Sequence, residues 1–324
     1  MLALDDKWVW DYWLVRNPDD NLWHVFFLQA DKSIIDPELR HWNVSFGHAT
    51  STDLIQWDYL GTCFQPANSP SWDDKTTWTG SVVQNEDGLW HLFYTGSSEE
   101  ENGLIQRIGH ATSSDLHHWV RVDNGFCLDL DARWYDSEYR PDYWHDRAMR
   151  DPWVMRDPEG SGWMMFFTAR VPGIEEANNA GAIGLARSND LYKWTLSPPV
   201  FQGGFGQLEV PQVIQISGKW YCLFCNSGDH WSKAYEANMP GGKVSGTHYL
   251  MADNINGPWT IAPGKFLDGG LPCRRYVGKL LETDAGLRYM SFWHDTAEGE
   301  FIGTLSDPVE VKLTNGLLEL IENN

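Results

Sequence analysis

Basic residues are scarce in this chain. It has 24 Lys and Arg against 45 Asp and Glu, a net charge of −21. Phosphate backbones are bound by basic patches, so the balance argues against a nucleic-acid partner, and an anionic membrane surface would repel it. No apolar run approaches 18 residues, which leaves no candidate membrane-spanning helix. The opening Met1-Leu2-Ala3-Leu4-Asp5-Asp6-Lys7 lacks a basic stretch followed by an apolar core, so no signal peptide is expected in it. Cysteine is sparse and odd in number: Cys63, Cys127, Cys222, Cys225 and Cys273. Their spacing is not a disulfide framework. Strand alternation turns Cys222 and Cys225 to opposite faces, as two buried thiols. Reduced thiols suit a cytoplasmic location. There is no H-E-x-x-H, no Cys/His cluster and no EF-hand loop, so neither metal nor cofactor is expected. Gly203-Gly204-Phe205-Gly206 precedes no helix and is not a phosphate loop. Amphipathic helices are also missing; the one candidate, Ile174 to Asn179, is too short.

Aromatic residues, by contrast, are plentiful. They make up 14% of the chain, with 19 Trp, and the 42% hydrophobic and 21% charged fractions fit a globular protein with a sizeable core. Tryptophan offers a large apolar face and one N–H donor, which suits β-rich packing and stacking under sugar rings. A segment recurs almost verbatim. Gly47-His48-Ala49-Thr50-Ser51-Thr52-Asp53-Leu54-Ile55-Gln56-Trp57 returns as Gly109-His110-Ala111-Thr112-Ser113-Ser114-Asp115-Leu116-His117-His118-Trp119. A third copy runs from Gly184 to Trp194 and a looser fourth from His248 to Trp259. The Ser/Asp pair suits a turn, because both side chains bond back to nearby backbone N–H groups. An alternating aromatic strand precedes each copy, and an innermost-strand candidate precedes that.

The unit is therefore four short antiparallel strands, and five units cover the chain. Long-period repetition of short strands indicates an all-β, five-bladed β-propeller, a single domain over residues 1–324. A two-sheet sandwich is the competing architecture, and the repeat tells against it. The irregular stretches 128–147 and 227–246 are polar and aromatic-rich, as expected of loops lining or covering a mouth.

Innermost strands of a propeller point at one central space. Three of the five candidates carry an acid: Asp11, Asp151 and Glu209. One Asp at the head of a strand is ordinarily a turn or capping residue. Three acids at matching repeat positions, beside Trp and Arg, point instead to chemistry. Crowded carboxylates repel and push their pKa values apart. Glycoside hydrolysis needs that separation: one carboxyl protonates the leaving oxygen while another attacks or activates water. Arg150 adds a rigid fork for a sugar hydroxyl or a carboxylate. His24, His48, His91 and His110 alternate with aromatics and are read as packing residues.

These residues resemble the five-bladed propeller glycoside hydrolases that act on fructosides, families 32 and 68, and more distantly family 43. Arg150-Asp151-Pro152 matches the R-D-P of family 32, and Glu209-Val210-Pro211 is similar to its E-C-P. Trp78-Thr79-Gly80-Ser81 looks like F-S-G-S, and Trp10-Asp11-Tyr12-Trp13 resembles the W-D-x-W of family 68. The W-x-N-D-P-N-G of family 32 is absent, and the chain ends soon after the fifth unit, leaving no room for that family's C-terminal β-sandwich. The resemblance implies a retaining β-fructofuranosidase-like glycosidase. Asp11 would be the nucleophile, Glu209 the acid/base and Asp151 the transition-state stabiliser. Trp10, Gln29, Phe46, Trp78, Ser81 and Arg150 would contact the substrate, an oligosaccharide or small glycoside. Transfer to a sugar instead of water stays open. So do an inverting, family-43-like arabinosidase or xylosidase and a non-catalytic sugar-binding propeller.

Overall fold

A computed structural model describes residues 1–239 and 241–321. The strands are β1 (Lys7–Arg16), β2 (Trp23–Asp31), β3 (Ser45–Ser51), β4 (Asp58–Phe64), β5 (Thr76–Gln84), β6 (Trp90–Ser97), β7 (Arg107–Ser113) and β8 (Val120–Leu128). Then follow β9 (Met149–Arg156), β10 (Trp163–Arg170), β11 (Gly181–Ser188), β12 (Trp194–Gln202), β13 (Glu209–Ile216), β14 (Lys219–Asn226) and β15 (Ser245–Ala252). The last are β16 (Thr260–Ile261), β17 (Asp268–Gly270), β18 (Arg275–Thr283), β19 (Gly286–Asp295), β20 (Phe301–Leu305), β21 (Val309–Thr314) and β22 (Leu317–Ile321). They form five antiparallel sheets, each a meander starting from its innermost strand. β16 and β17 share the outer place of blade 4, since both pair with β15. β20 and β21 share the third place of blade 5, since both pair with β19.

Burial follows position in the blade. β6 and β10 are buried along their whole length, because each sheet is covered on both faces by its neighbours; β4 and β8 at the rim are largely open. The glycine of the repeated segment has a steric reason. Gly47, Gly109 and Gly184 sit directly opposite Phe27, Tyr94 and Phe167 on the second strand. A Cβ at each would stand 2.2 or 2.3 Å from a ring carbon, so the aromatic ring lies flat over the bare backbone. The Ser-x-Asp-Leu part is a turn. Ser188 Oγ accepts from the N–H groups of Asp190 (3.2 Å) and Leu191 (2.9 Å), and Asp190 Oδ1 accepts from those of Tyr192 (2.9 Å) and Lys193 (2.8 Å). Leu54, Leu116 and Leu191 take φ values of 64°, 65° and 68°, which the turn enforces and their burial rewards.

The repeat histidines do more than pack within one blade. His24 Nδ1 meets His48 Nε2 at 2.9 Å, and His48 Nδ1 meets His117 Nδ1 at 3.0 Å, which joins blade 1 to the turn of blade 2. The ring is closed by a backbone bridge of Leu2 to Leu305, with the Leu305 N–H donating to Leu2 O at 3.0 Å. Among the described residues helix is confined to short pieces: 3₁₀ turns at Pro37–Trp42, Ala177–Asn179 and Gly228–His230, and the α-helix Lys233–Asn238.

The turn makes a graded prediction. Asp190→Ala is expected to cost about 1–2 kcal/mol, the range for losing a side chain that caps backbone N–H groups. Leu191→Ala should cost about 2–5 kcal/mol by opening a core cavity. Equilibrium urea unfolding of the two variants checks both the sizes and their order.

Candidate active site

At one end of the central channel every innermost strand slips its register. Pairing with the second strand shifts between Trp10 and Tyr12 in blade 1, between Trp78 and Gly80 in blade 2, at Asp151-Pro152 in blade 3, between Glu209 and Gln212 in blade 4, and between Tyr276 and Lys279 in blade 5. Such bulges bend a strand and re-aim its side chains. In blades 3, 4 and 5 the bulge holds a non-glycine residue at positive φ: Asp151 (58°), Val210 (50°) and Val277 (51°). The acids therefore meet, but not from matching positions. Asp151 corresponds to Val210 and Val277, whereas Glu209 corresponds to Arg150 and Tyr276. Asp11 corresponds to Thr79. The expectation of equivalent positions is corrected by one residue in blade 4.

The cavity at this end has a volume of about 900 Å³ and is lined by Trp10, Asp11, Trp78, Arg150, Asp151 and Glu209, among others. Thr79 Oγ1 donates to Asp11 Oδ2 at 2.7 Å. Asp151 Oδ2 accepts the Val210 N–H at 3.0 Å and lies 3.0 Å from Thr168 Oγ1; its own N–H donates to Thr95 Oγ1 at 2.8 Å. Glu209 is held from both sides, Oε1 by Arg150 Nη2 at 2.9 Å and Oε2 by the Tyr276 hydroxyl at 2.6 Å. Arg150 Nε stands 3.5 Å from Asp151 Oδ2. The rest of its fork is occupied by Gln207 Oε1 (2.6 Å), Gln106 Oε1 (3.2 Å) and Asp146 Oδ2 (3.4 Å).

Three predicted contacts lie elsewhere. Gln29 is spent inside blade 1: it accepts from the Tyr59 hydroxyl (2.9 Å) and donates to Thr62 Oγ1 (2.8 Å). Phe46 is core, with its ring 4.9 Å from that of Trp13 and 5.4 Å from that of Phe64. Ser81 ties blade 2 to blade 3 by accepting the Val154 N–H at 3.0 Å. None of the three lines the cavity. The two predicted loops do reach it, through His145, Asp146, Ser227, His230 and Ser245. Sequence reasoning missed Tyr276, Gln106, Gln207 and the Arg40-His41-Trp42 corner, whose His41 carbonyl accepts from Trp78 Nε1 at 2.9 Å. Aligning Tyr276-Val277-Gly278 with Arg150-Asp151-Pro152 and Glu209-Val210-Pro211 would have found Tyr276.

Electrostatics separate the acids. Burial, then Asp151, lifts the Asp11 pKa from 3.8 to about 7. Burial also lifts Asp151 to about 6, against the pull of Arg150. Glu209 goes the other way. Burial pushes it up, but Arg150 and the Tyr276 hydroxyl outweigh that and hold it below its ordinary value. Asp11 and Asp151 thus hold protons to higher pH than an ordinary carboxyl and Glu209 gives its proton up earlier, so the cluster's proton affinity lies on the Asp11–Asp151 side.

The model for the glycosyl hydrolases family 32 N-terminal domain matches residues 18–315, a span that begins after Asp11. The chain is 25% identical to an extracellular sucrase of Zymomonas mobilis subsp. mobilis, covering 96% of this chain and 81% of that protein. It is 32% identical to a beta-fructofuranosidase 1 of Zea mays over 62% of this chain and 26% of that one. Among solved structures, an inulosucrase from Halalkalicoccus jeotgali bound to kestose superposes with a TM-score of 0.79 at 20% identity, covering 99% of this chain and 90% of that chain. A Bacillus subtilis levansucrase gives 0.76 at 17%, covering 98% and 87%. These two likenesses establish the shared fold.

The raised Asp11 pKa has a stability consequence. Native protein binds a proton that unfolded chain has released between about pH 4 and pH 7, so this group's contribution falls as pH rises through that window. Asp11→Asn is expected to exceed wild type in Tm by less at pH 5 than at pH 8. Scanning calorimetry at the two pH values would refute the buried charge if the difference did not grow.

Proposed function

The chain belongs to glycosyl hydrolase family 32, and from that premise we propose that it cleaves β-fructofuranosides, sucrose or short fructo-oligosaccharides, by a retaining double displacement. The observation that carries this reading is the convergence of Asp11, Asp151 and Glu209, with Arg150 among them, on the floor of one cavity. That its relatives include a sucrase and a fructofuranosidase supports it.

In this mechanism Asp11 attacks the anomeric carbon and Glu209 protonates the leaving oxygen, then takes a proton from water. Asp151 accepts hydrogen bonds from ring hydroxyls as positive charge develops on the sugar. The resting proton lies on the wrong partner for that step. A substrate that draws the Arg150 fork away from Glu209 raises the Glu209 pKa and makes it the better donor, while a bond from a sugar hydroxyl to Asp11 favours its ionised form. Substrate binding therefore redistributes the proton that burial has kept. A cavity of about 900 Å³ exceeds one furanose ring and leaves space beyond the cleaved bond for a leaving sugar or an acceptor, so water and a second sugar compete for the intermediate.

Asp11→Asn is expected to abolish sucrose hydrolysis, and near-wild-type kcat in a folded variant would remove it from the nucleophile role. Glu209→Gln should lower kcat/KM by about 10²–10⁴-fold on sucrose and by much less on an aryl fructoside, whose leaving group needs little protonation, while kcat falls on both because water has lost its base. NMR of the first-formed anomer checks retention. In wild type, kcat/KM should fall above about pH 7 as the cluster loses its last proton.

A further inference from the structure

We propose that Lys279 is a positioning residue of this site: its ammonium clamps the bulge of blade 4 that aims Glu209 into the cavity. The proposal rests on the reading of Glu209 as the acid/base.

Lys279 lies on β18, the innermost strand of blade 5, and is 3% exposed. Its Nζ reaches the neighbouring blade 4 to donate to the carbonyls of Val210 (3.1 Å) and Pro211 (3.4 Å), and it stands 5.3 Å from the centroid of the Trp153 ring in blade 3. A methionine would fill the same space without charge. Burying an ammonium against carbonyls is unfavourable, and burial pulls its pKa from 10.5 to about 8 even with Cys225, Asp151 and Asp11 opposing. What the charge holds is a strained residue. Val210 is β-branched, precedes a proline and has φ of 50°, a conformation that persists only when its surroundings enforce it. Here both of its peptide groups are pinned. Its N–H goes to Asp151 Oδ2 at 3.0 Å and its carbonyl to Lys279. Glu209 is the preceding residue, so the direction of its side chain is set by this bulge. Beyond the bulge Gln212 locks the same two blades together, donating to Leu280 O at 2.9 Å and accepting the Leu280 N–H at 2.7 Å. Blade 5 solves the equivalent problem without charge: Gly278 follows the strained Val277 and donates to Thr247 Oγ1 at 2.9 Å. The cation stands under the one bulge that carries an acid immediately before it.

Lys279→Met removes the donors and the charge; Lys279→Gln removes the charge and keeps donors. With sucrose, Met is expected to lower kcat by about 10–100-fold, as small misplacements of a catalytic group do, with KM within about threefold. Gln should retain most of kcat. Equal loss in both variants would make Lys279 a counter-charge and overturn the clamp. A readout independent of turnover is the bulge itself. In a crystal structure of Lys279→Met, Val210 should leave positive φ and Glu209 should lose Tyr276 or Arg150. An unchanged bulge overturns the proposal, whether or not any fructoside is hydrolysed. A moved bulge in a protein whose wild type cleaves no fructoside would instead sink the reading of the site. If Lys279→Met does not fold, the double variant Val210→Gly/Lys279→Met carries the test. Glycine accepts positive φ unaided, so it should fold and recover turnover. A double variant that is unfolded or inactive shows that Lys279 serves the ring and not the bulge.

Discussion

At the floor of the cavity the innermost strand of each blade runs longer than the strand it pairs with, and the excess is taken up as a bulge. A bulge frees backbone N–H groups that burial does not forgive. In three blades those groups are satisfied by a neighbouring blade: Asp151 N–H by Thr95, Val210 N–H by Asp151, and Gly278 N–H by Thr247. Bonds that hold adjacent blades at this height thus pass through Asp151 and Val210, which line the cavity. Ring and site are one network, and a substitution made for chemistry is also felt between the blades.

The same network sets the charges. Asp11, Asp151 and Glu209 are tolerated side by side because Arg150 stands among them, bonded to Glu209 and 3.5 Å from Asp151, while Thr79 supplies Asp11 with a neutral donor. The uneven sharing divides the acids. Glu209 is bonded to the cation and to a phenol, Asp151 to the Val210 N–H and Thr168 with part of the cation nearby, and Asp11 to the Thr79 hydroxyl, with Arg40 acting only through its charge. Their order of proton affinity at rest follows from those partners and opposes the order that the proposed mechanism requires, so under that proposal a sugar's contacts with Arg150 would place protons as well as bind.

The fold was legible because its repeat is enforced by sterics. A ring that must lie on a bare backbone demands glycine at one place in blades 1, 2 and 3, at Gly47, Gly109 and Gly184, and a turn that folds back demands Ser and Asp at fixed offsets. The cavity was legible in part. Asp11, Asp151, Glu209, Arg150, Trp10 and Trp78 line it. Bulges break the alternation on which side-chain directions are inferred, which explains why Glu209 and Asp151 occupy different bulge positions. Gln29, Phe46 and Ser81 had the right neighbours in sequence but point into a sheet, into the core and across a blade seam. The Arg40-His41-Trp42 corner comes from a segment between the second and third strands of blade 1 that the other units do not repeat, so reading the repeat could not reveal it.

The bridge between Leu2 and Leu305 has a bearing on how the molecule is made. Leu2 cannot make this bridge until β20 of blade 5 is in place. Contacts between the two extremes of a chain carry a loop-closure cost that local hairpins do not, and they form late. Four blades can assemble as consecutive meanders while the first strand of blade 1, which carries Asp11, still has one flank open. The cavity is then completed only at ring closure, so acquisition of activity during refolding should lag the formation of β-structure.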